Sequence, residues 1–449
     1  MSETSDPRVA TASADATEAA SPRRHDLLAR YRAVRAWSDA LCEPLEIEDY
    51  VVQAMPDASP TKWHLAHTTW FFETLVVQPH LRDYAAVDTR YAYLFNSYYN
   101  SLGELFTRAD RGLVSRPTVA EVQAYRAHVD AAVERLIEQA DVKTLDALAP
   151  TFEVGLHHEQ QHQELMLTDL KYMLSRNPLA PIYREASSPV GEAPAPTRWL
   201  SFEEDLHEIG HAGGGFAYDN EGPRHRVFLE SFRIASRLVT SGEYLDFVRD
   251  GGYERAELWL SDGWTAVQQE GWKAPLYWVE ADGAWRQFTL TGLRGVEPAE
   301  PVCHLSFYEA DAYARWVASH TSGVRLPSEA EWEIAARREE GASIAAGNFV
   351  DDGLLHPRPL AVDGNGLHQA HGDVWEWTRS PYTAYPNYQP PDGALGEYNA
   401  KFMSNQLVLR GGSCATPRSH IRSTYRNFFP AHVRWQFAGL RLARDGADG

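Results

Sequence analysis

One change of pattern constrains this chain more than any other. Up to about residue 176 apolar side chains recur at helical spacing, and beyond about residue 197 the text turns Gly- and Trp-rich with short elements. Four helices are predicted in the first part. His25 to about Glu43 carries Leu27, Leu28, Tyr31, Val34, Trp37 and Leu41 near a 3.6-residue period, and Pro44 stops it. A second opens near Ser59-Pro60, a cap followed by Pro at the first helical position. A third follows Arg116-Pro117-Thr118 and runs to about Ala140, and a fourth spans Ala149 to about Leu174 with Pro150 in its first turn. Four such helices close into a bundle whose interior suits a metal site.

The segmentation follows. Residues 1–22, rich in Ala, Ser, Thr and Asp, read as a disordered tail. Residues 23–176 form the bundle, 177–196 a Pro-, Ala- and Ser-rich linker, and 197–445 a second domain. In that domain helices are expected at Ser306 to His320 and after Pro327-Ser328-Glu329, giving an α+β chain. At 449 residues two domains are the natural count. The absence of a long apolar run argues against a spanning helix or a secretory signal. A net charge of −20 argues against a nucleic-acid partner, because phosphate binding needs a basic surface. Cys42, Cys303 and Cys414 are far apart with no Cys-x-x-Cys pair, which fits a reducing cytoplasm and excludes a zinc knuckle.

The chemistry concentrates on histidine. His158 and His162, four residues apart, lie one above the other on one helical face and can grip one ion. His67 in the second helix is the third candidate, with His64 open as its alternative, and His157 is out of phase. Glu73, Glu159 or Glu164 could instead complete a two-His-one-carboxylate set, although helical phase favours three imidazoles. Three neutral rings on one side of a metal leave positions for substrate and oxygen.

Trp63-His64-Leu65-Ala66-His67-Thr68 and His158-Glu159-Gln160-Gln161-His162 resemble the iron-binding segments of the ergothioneine sulfoxide synthases. The second half is similar to the formylglycine-generating-enzyme-like domain that follows the DinB-like bundle in that family. Its marks are Tyr218 to Pro223, Arg325 to Glu333, Gly372-Asp373-Val374-Trp375-Glu376-Trp377 and Arg410-Gly411-Gly412-Ser413, the last expected as a turn entering a strand. Trp332, Trp375 and Trp377 are expected in the core.

The resemblance implies a cytoplasmic, non-haem iron(II) enzyme using O2. Its substrates are small molecules, a thiol or selenol donor and hercynine, the Nα-trimethylated histidine. Fe(II) would sit on His67, His158 and His162, with substrate contacts drawn from both domains. Tyr98 and Tyr99, in Phe95-Asn96-Ser97-Tyr98-Tyr99-Asn100, are the proton-donor candidates, ahead of Tyr382 and Tyr385. Gln161, Arg426, Asn427 and Phe428 are the substrate-binding candidates: Gln161 for the imidazole, Arg426 for a carboxylate, Asn427 and Phe428 for the quaternary ammonium. Phe428-Phe429 stands where the γ-glutamylcysteine-using branch has an aromatic–acidic pair, so cysteine is the expected donor. Copper-dependent formylglycine formation is not expected, because Thr416 and Ile421 occupy the places of its two cysteines. The alternatives are a selenosugar-using selenoneine synthase, an ovothiol-type synthase acting on histidine, and a metal-dependent lectin-like binding protein.

Overall fold

The computed structural model describes residues 7–185, 196–360 and 364–446, with side chains from residue 22 onward. It divides into two compact units, Met1–Met166 and Leu167–Gly449. Part of the expected linker lies outside the described residues. The division falls inside the fourth helix, about ten residues before the expected end of the bundle.

The first unit is built on four long helices: α1 Pro7–Cys42, α2 Thr61–Phe72, α3 Val119–Gln139 and α4 Val142–Ser175. Two begin earlier than expected. Helix α1 reaches into the stretch read as a tail, where frequent Ala favours helix at little entropic cost. Helix α4 starts where the Asp141 carboxylate accepts from the Thr144 N–H, a cap that leaves Pro150 inside the helix rather than in its first turn. Helix α3 begins as expected, with Thr118 and Glu121 forming a capping box. Apolar positions of α3 (Val122, Tyr125, Val129, Val133, Leu136) are buried against the other helices. Every residue of α2 is buried, so it is the central element of the bundle. Gly155 of α4 permits the closest approach: a Cβ there would meet the Phe72 ring at 2.8 Å and the Phe71 ring at 3.0 Å.

The second unit is a set of small sheets. One has the order β1-β4-β13-β8 (Trp199–Phe202, Phe232–Ala235, Ala443–Asp445, Val324–Arg325). Another has the order β11-β10-β9-β12 (Asn427–Pro430, Gln406–Arg410, Trp375–Pro381, Ala438–Gly439). An antiparallel pair, β2 Asp205–Ile209 with β3 His225–Leu229, and a sheet of β5 Trp278–Ala281, β6 Ala284–Thr289 and β7 Gly292–Gly295 accompany them. Both expected helices are present, at Phe307–Ala318 and Glu329–Arg337, each opened by a capping box. Ser241–Arg249, Ser261–Glu270 and Glu340–Ala346 are helices that were not expected. Trp332, Trp375 and Trp377 are buried, and the Trp377 indole N–H donates to the Leu305 carbonyl at 2.9 Å. The Arg410 segment runs opposite to expectation, because the strand ends at Arg410 and the turn follows it. Gly411 and Gly412 both have positive φ, and a Cβ on Gly411 would meet the Ala370 carbonyl at 2.4 Å.

Buried in this unit is a lysine with no carboxylate in ion-pair reach among the described residues. Lys171, from the last turns of α4, is 0% exposed, and its Nζ lies 2.7 Å from His304 Nε2. The Tyr277 and Phe437 rings lie 5.0 and 4.9 Å from Nζ. Burial holds the amine down at about 8. Among the described residues no helix is long and apolar enough to cross a membrane.

Candidate metal centre

The three expected ligands come together. His67, His158 and His162 are buried, and one ligand nitrogen from each lies within 4.8 Å of the others. Their ring centroids form a nearly equilateral triangle: His67–His158 at 4.9 Å, His67–His162 at 4.7 Å and His158–His162 at 4.6 Å. His67 Nε2 and His158 Nε2 are 3.1 Å apart. Two atoms each about 2.1 Å from an ion, at right angles around it, would be separated by about 3 Å. That spacing leaves the opposite side of the ion to other ligands.

The backbone of the Phe95 segment distinguishes His67 from His64. His67 Nδ1 lies 2.5 Å from the Phe95 carbonyl, which can accept only a proton, so Nδ1 carries it and Nε2 keeps its lone pair. The His67 ring is also stacked between Trp63, at 4.6 Å and 13°, and Trp70, at 5.7 Å and 16°. His64 takes a supporting place, with its Nδ1 2.8 Å from His162 Nδ1. Phe71 packs on His158 with centroids 4.8 Å apart. Burial is the main cause holding all three ligand rings neutral: His158 is lowered to about 3, and His67 and His162 fall well below the ordinary range. Neutral imidazoles are the form that binds metal, so the donor set fits a divalent transition ion with open positions.

Two carboxylate alternatives are engaged elsewhere. Glu159 accepts from Arg35 and Arg126 at 2.8 Å each and from Ser38 at 2.6 Å. Burial raises its carboxyl, but the two guanidinium groups outweigh this and hold it at about 2. Glu73 accepts from the Tyr84 hydroxyl at 2.6 Å and from Tyr125.

The string around the tyrosine pair does two tasks. Phe95 orients His67, and Asn96 pins the loop, its Nδ2 donating to the Tyr99 carbonyl and its Oδ1 accepting the Tyr99 N–H. The Tyr99 ring is buried beside Trp70, at 5.7 Å, and Phe71, at 6.4 Å, both of which touch the ligand rings. Tyr98 is half-buried, 4.7 Å from Tyr99. Gln161 is half-buried on α4, one residue before His162.

Arg426, expected to meet a substrate carboxylate, is engaged inside the fold. Its guanidinium is 2% exposed, donates to both Glu329 oxygens at 2.9 and 3.1 Å, and to the Asn220 and Thr383 carbonyls at 3.0 Å each. Those bonds leave it as an internal tie rather than a docking point for a substrate carboxylate. Asn427 and Phe428 are half-buried on β11, where Phe428 stacks on Tyr382 at 4.0 Å and 9°. Tyr385 is likewise held inside, its hydroxyl accepting from Arg410 at 3.0 Å. The spacing-based reading gave no role to Trp63, Trp70 and Asn96; Trp63 and Asn96 lie inside the histidine- and tyrosine-bearing strings, and Trp70 stands three residues after His67 on the same helix.

Residues 30–166 match the DinB superfamily, and residues 206–358 and 358–446 match the sulfatase-modifying factor enzyme 1-like domain. A hercynine oxygenase of Mycolicibacterium thermoresistibile is 32% identical over 422 residues, covering 87% of this chain and 88% of that one. A hercynine oxygenase of Mycolicibacterium smegmatis is 30% identical over 422 residues, covering 88% and 92%. Ergothioneine biosynthesis protein 1 of Schizosaccharomyces pombe is 29% identical over 256 residues, 55% of this chain and 29% of that one. A histidine-bearing DinB bundle joined to a sulfatase-modifying-factor-like domain thus defines the class, an oxidoreductase of the oxygenase type. The chain belongs to the hercynine oxygenase family, with a role in ergothioneine biosynthesis.

Proposed function

We propose that the chain is an iron(II)- and O2-dependent sulfoxide synthase joining the sulfur of cysteine to the imidazole C2 of hercynine. The observation carrying this reading is the gathering of three buried imidazoles, one nitrogen of each within 4.8 Å of the others, with His67 Nε2 and His158 Nε2 3.1 Å apart. The overall reaction balances: one C–H and one S–H are lost, a C–S bond and a sulfur–oxygen bond form, and the second oxygen atom leaves as water. Iron bound to His67, His158 and His162 supplies the activation of dioxygen.

The chain's own residues position the substrates and move protons. The hydroxyls of Tyr98 and Tyr99 are the proposed proton donors, held by the Asn96 brace. Gln161, beside His162, is the proposed partner of the substrate imidazole. Asn427 and the Phe428 ring, half-buried on β11, offer an amide and an aromatic face of the kind that attracts a trimethylammonium group. Cysteine is favoured over γ-glutamylcysteine because Phe428-Phe429 offers no carboxylate for the ammonium group of a dipeptide donor.

The test is anaerobic loading with Fe(II), then oxygen uptake with hercynine and each of cysteine, γ-glutamylcysteine and a selenosugar, with products identified by mass. Uptake with cysteine and a product carrying one added oxygen are expected. A strong preference for the dipeptide would overturn the choice of donor, and no uptake with any donor would overturn the activity.

A further inference from the structure

Outside the ligand set, the most organised polar feature of the first unit is a buried ion network that touches both ligand-bearing helices. Arg35 of α1, 4% exposed, uses each of its three guanidinium nitrogens in a different direction. Nε donates to Asp130 of α3 at 2.7 Å, one terminal nitrogen to Glu159 of α4 at 2.8 Å, and the other to Thr69 of α2 at 3.1 Å. Thr69 stands two residues after His67, and its hydroxyl donates to the Leu65 carbonyl of the same helix at 2.7 Å. Glu159 follows His158 directly, and its second oxygen accepts from Arg126 of α3 and Ser38 of α1. One planar group therefore ties the backbone region of His67 to that of His158.

Stability alone does not explain such a group. Arg35, Arg126, Asp130 and Glu159 balance in charge, but a buried ion network is commonly no more stabilising than well-packed apolar residues of the same size. Direction is what it adds. A slip of one helix past another by a single residue displaces side chains by about 1.5 Å, whereas metal–ligand distances tolerate only about 0.2 Å. A planar guanidinium bonded to three helices resists that slip in a way a point charge cannot.

We propose that Arg35 is a positioning residue for the histidine centre, clamping α2 and α4 in the register that brings the His67 and His158 Nε2 atoms together. The inference rests on the reading of the triad as a metal centre. Its test is Arg35→Lys in the full-length chain, with Co(II) affinity measured by chelator competition and the ligand-field absorption of the bound ion recorded. Thermal melts of the metal-free proteins accompany it. Arg35 touches no ligand ring itself, so affinity is expected to fall at the low end of what losing a direct outer partner costs, about 10-fold, with an altered absorption spectrum. Arg30→Lys serves as control: it disturbs another α1–α4 ion pair, with Glu153, and should lower the melting temperature without changing the spectrum. Thr69→Val removes only the tie to α2 and keeps the experiment decisive if the lysine variant fails to fold; its Co(II) affinity should fall at least about threefold. Co(II) affinity and spectrum unchanged in the folded variants would overturn the proposal while leaving the metal centre standing. A wild-type chain that takes up no Co(II), or a His162→Ala chain that takes it up undiminished, would overturn both.

Discussion

Replacing Lys171 by Met should make the second unit more stable at neutral pH, and the gain should fade in alkali. The amine has three N–H donors, and among the described residues its hydrogen-bond partner is one neutral ring nitrogen, His304 Nε2. Burial lowers it from 10.5 to about 8, so between those values the unfolded chain binds the extra proton and stability rises with pH. The gap corresponds to about 3 kcal/mol at full extent, present below about pH 8 and gone above about pH 10.5. Methionine keeps the stem and its contact with Tyr277 and Phe437, but forfeits the bond to His304, worth about 1 kcal/mol. The net expectation near pH 7.5 is a gain of about 2 kcal/mol. Near pH 9.5 the wild-type chain recovers about 2 kcal/mol of its deficit, so the two proteins should converge. Urea unfolding followed by tryptophan fluorescence at both pH values measures the difference, since Trp332, Trp375 and Trp377 are buried in this unit. A variant less stable than wild type at the lower pH, or a difference that ignores pH, would refute the account of Lys171 as an uncompensated buried cation.

Gly155→Ala should destabilise the bundle by about 1 kcal/mol net, because overpacking against Phe72 and Phe71 exceeds the gain in helix propensity, and thermal melting reads it. Metal affinity should fall with it, since Phe71 packs on His158. Glu329→Gln should cost about 3 kcal/mol, chiefly through the stranded charge of Arg426 because Arg410 keeps Glu333 at 3.0 Å, with no selective rise in KM for the thiol; a rise in KM at unchanged stability would support Arg426 as a substrate contact. Tyr98→Phe and Tyr99→Phe should leave Fe(II) content unchanged and lower sulfoxide formation about 100-fold in at least one of the two, measured by product mass. Equal product yields from wild type and both variants would remove the tyrosines from the proton path.

Much of the centre could be read from local spacing. His158 and His162 share a face because four residues make about one turn, and that needs no tertiary knowledge. His67 was harder, since His64 and His67 both lie inward on a helix buried all round. What separates them is the Phe95 carbonyl, 28 residues away, which no periodicity reveals. Arg426 was misread for the same reason: its partner Glu329 is 97 residues upstream, and a sequence shows the charge but not its pairing. The helix at Ser241–Arg249 was overlooked despite a local signal, the Thr240-x-x-Glu243 capping box, because the Gly-rich surroundings masked its short apolar face. The early start of α4 was hidden by Pro150, whose usual place in a first turn outweighed the weaker cap at Asp141.

The two indoles flanking His67 have a bearing on exchange rates. An imidazole stacked on Trp63 and Trp70 gives up both ring contacts if it turns about its side-chain bonds, so rotation of this donor is opposed by packing. An ion held there would be released more readily by the second helix parting from its neighbours, so its release would follow the bundle's local unfolding. Residence time in such a socket is a property of the walls.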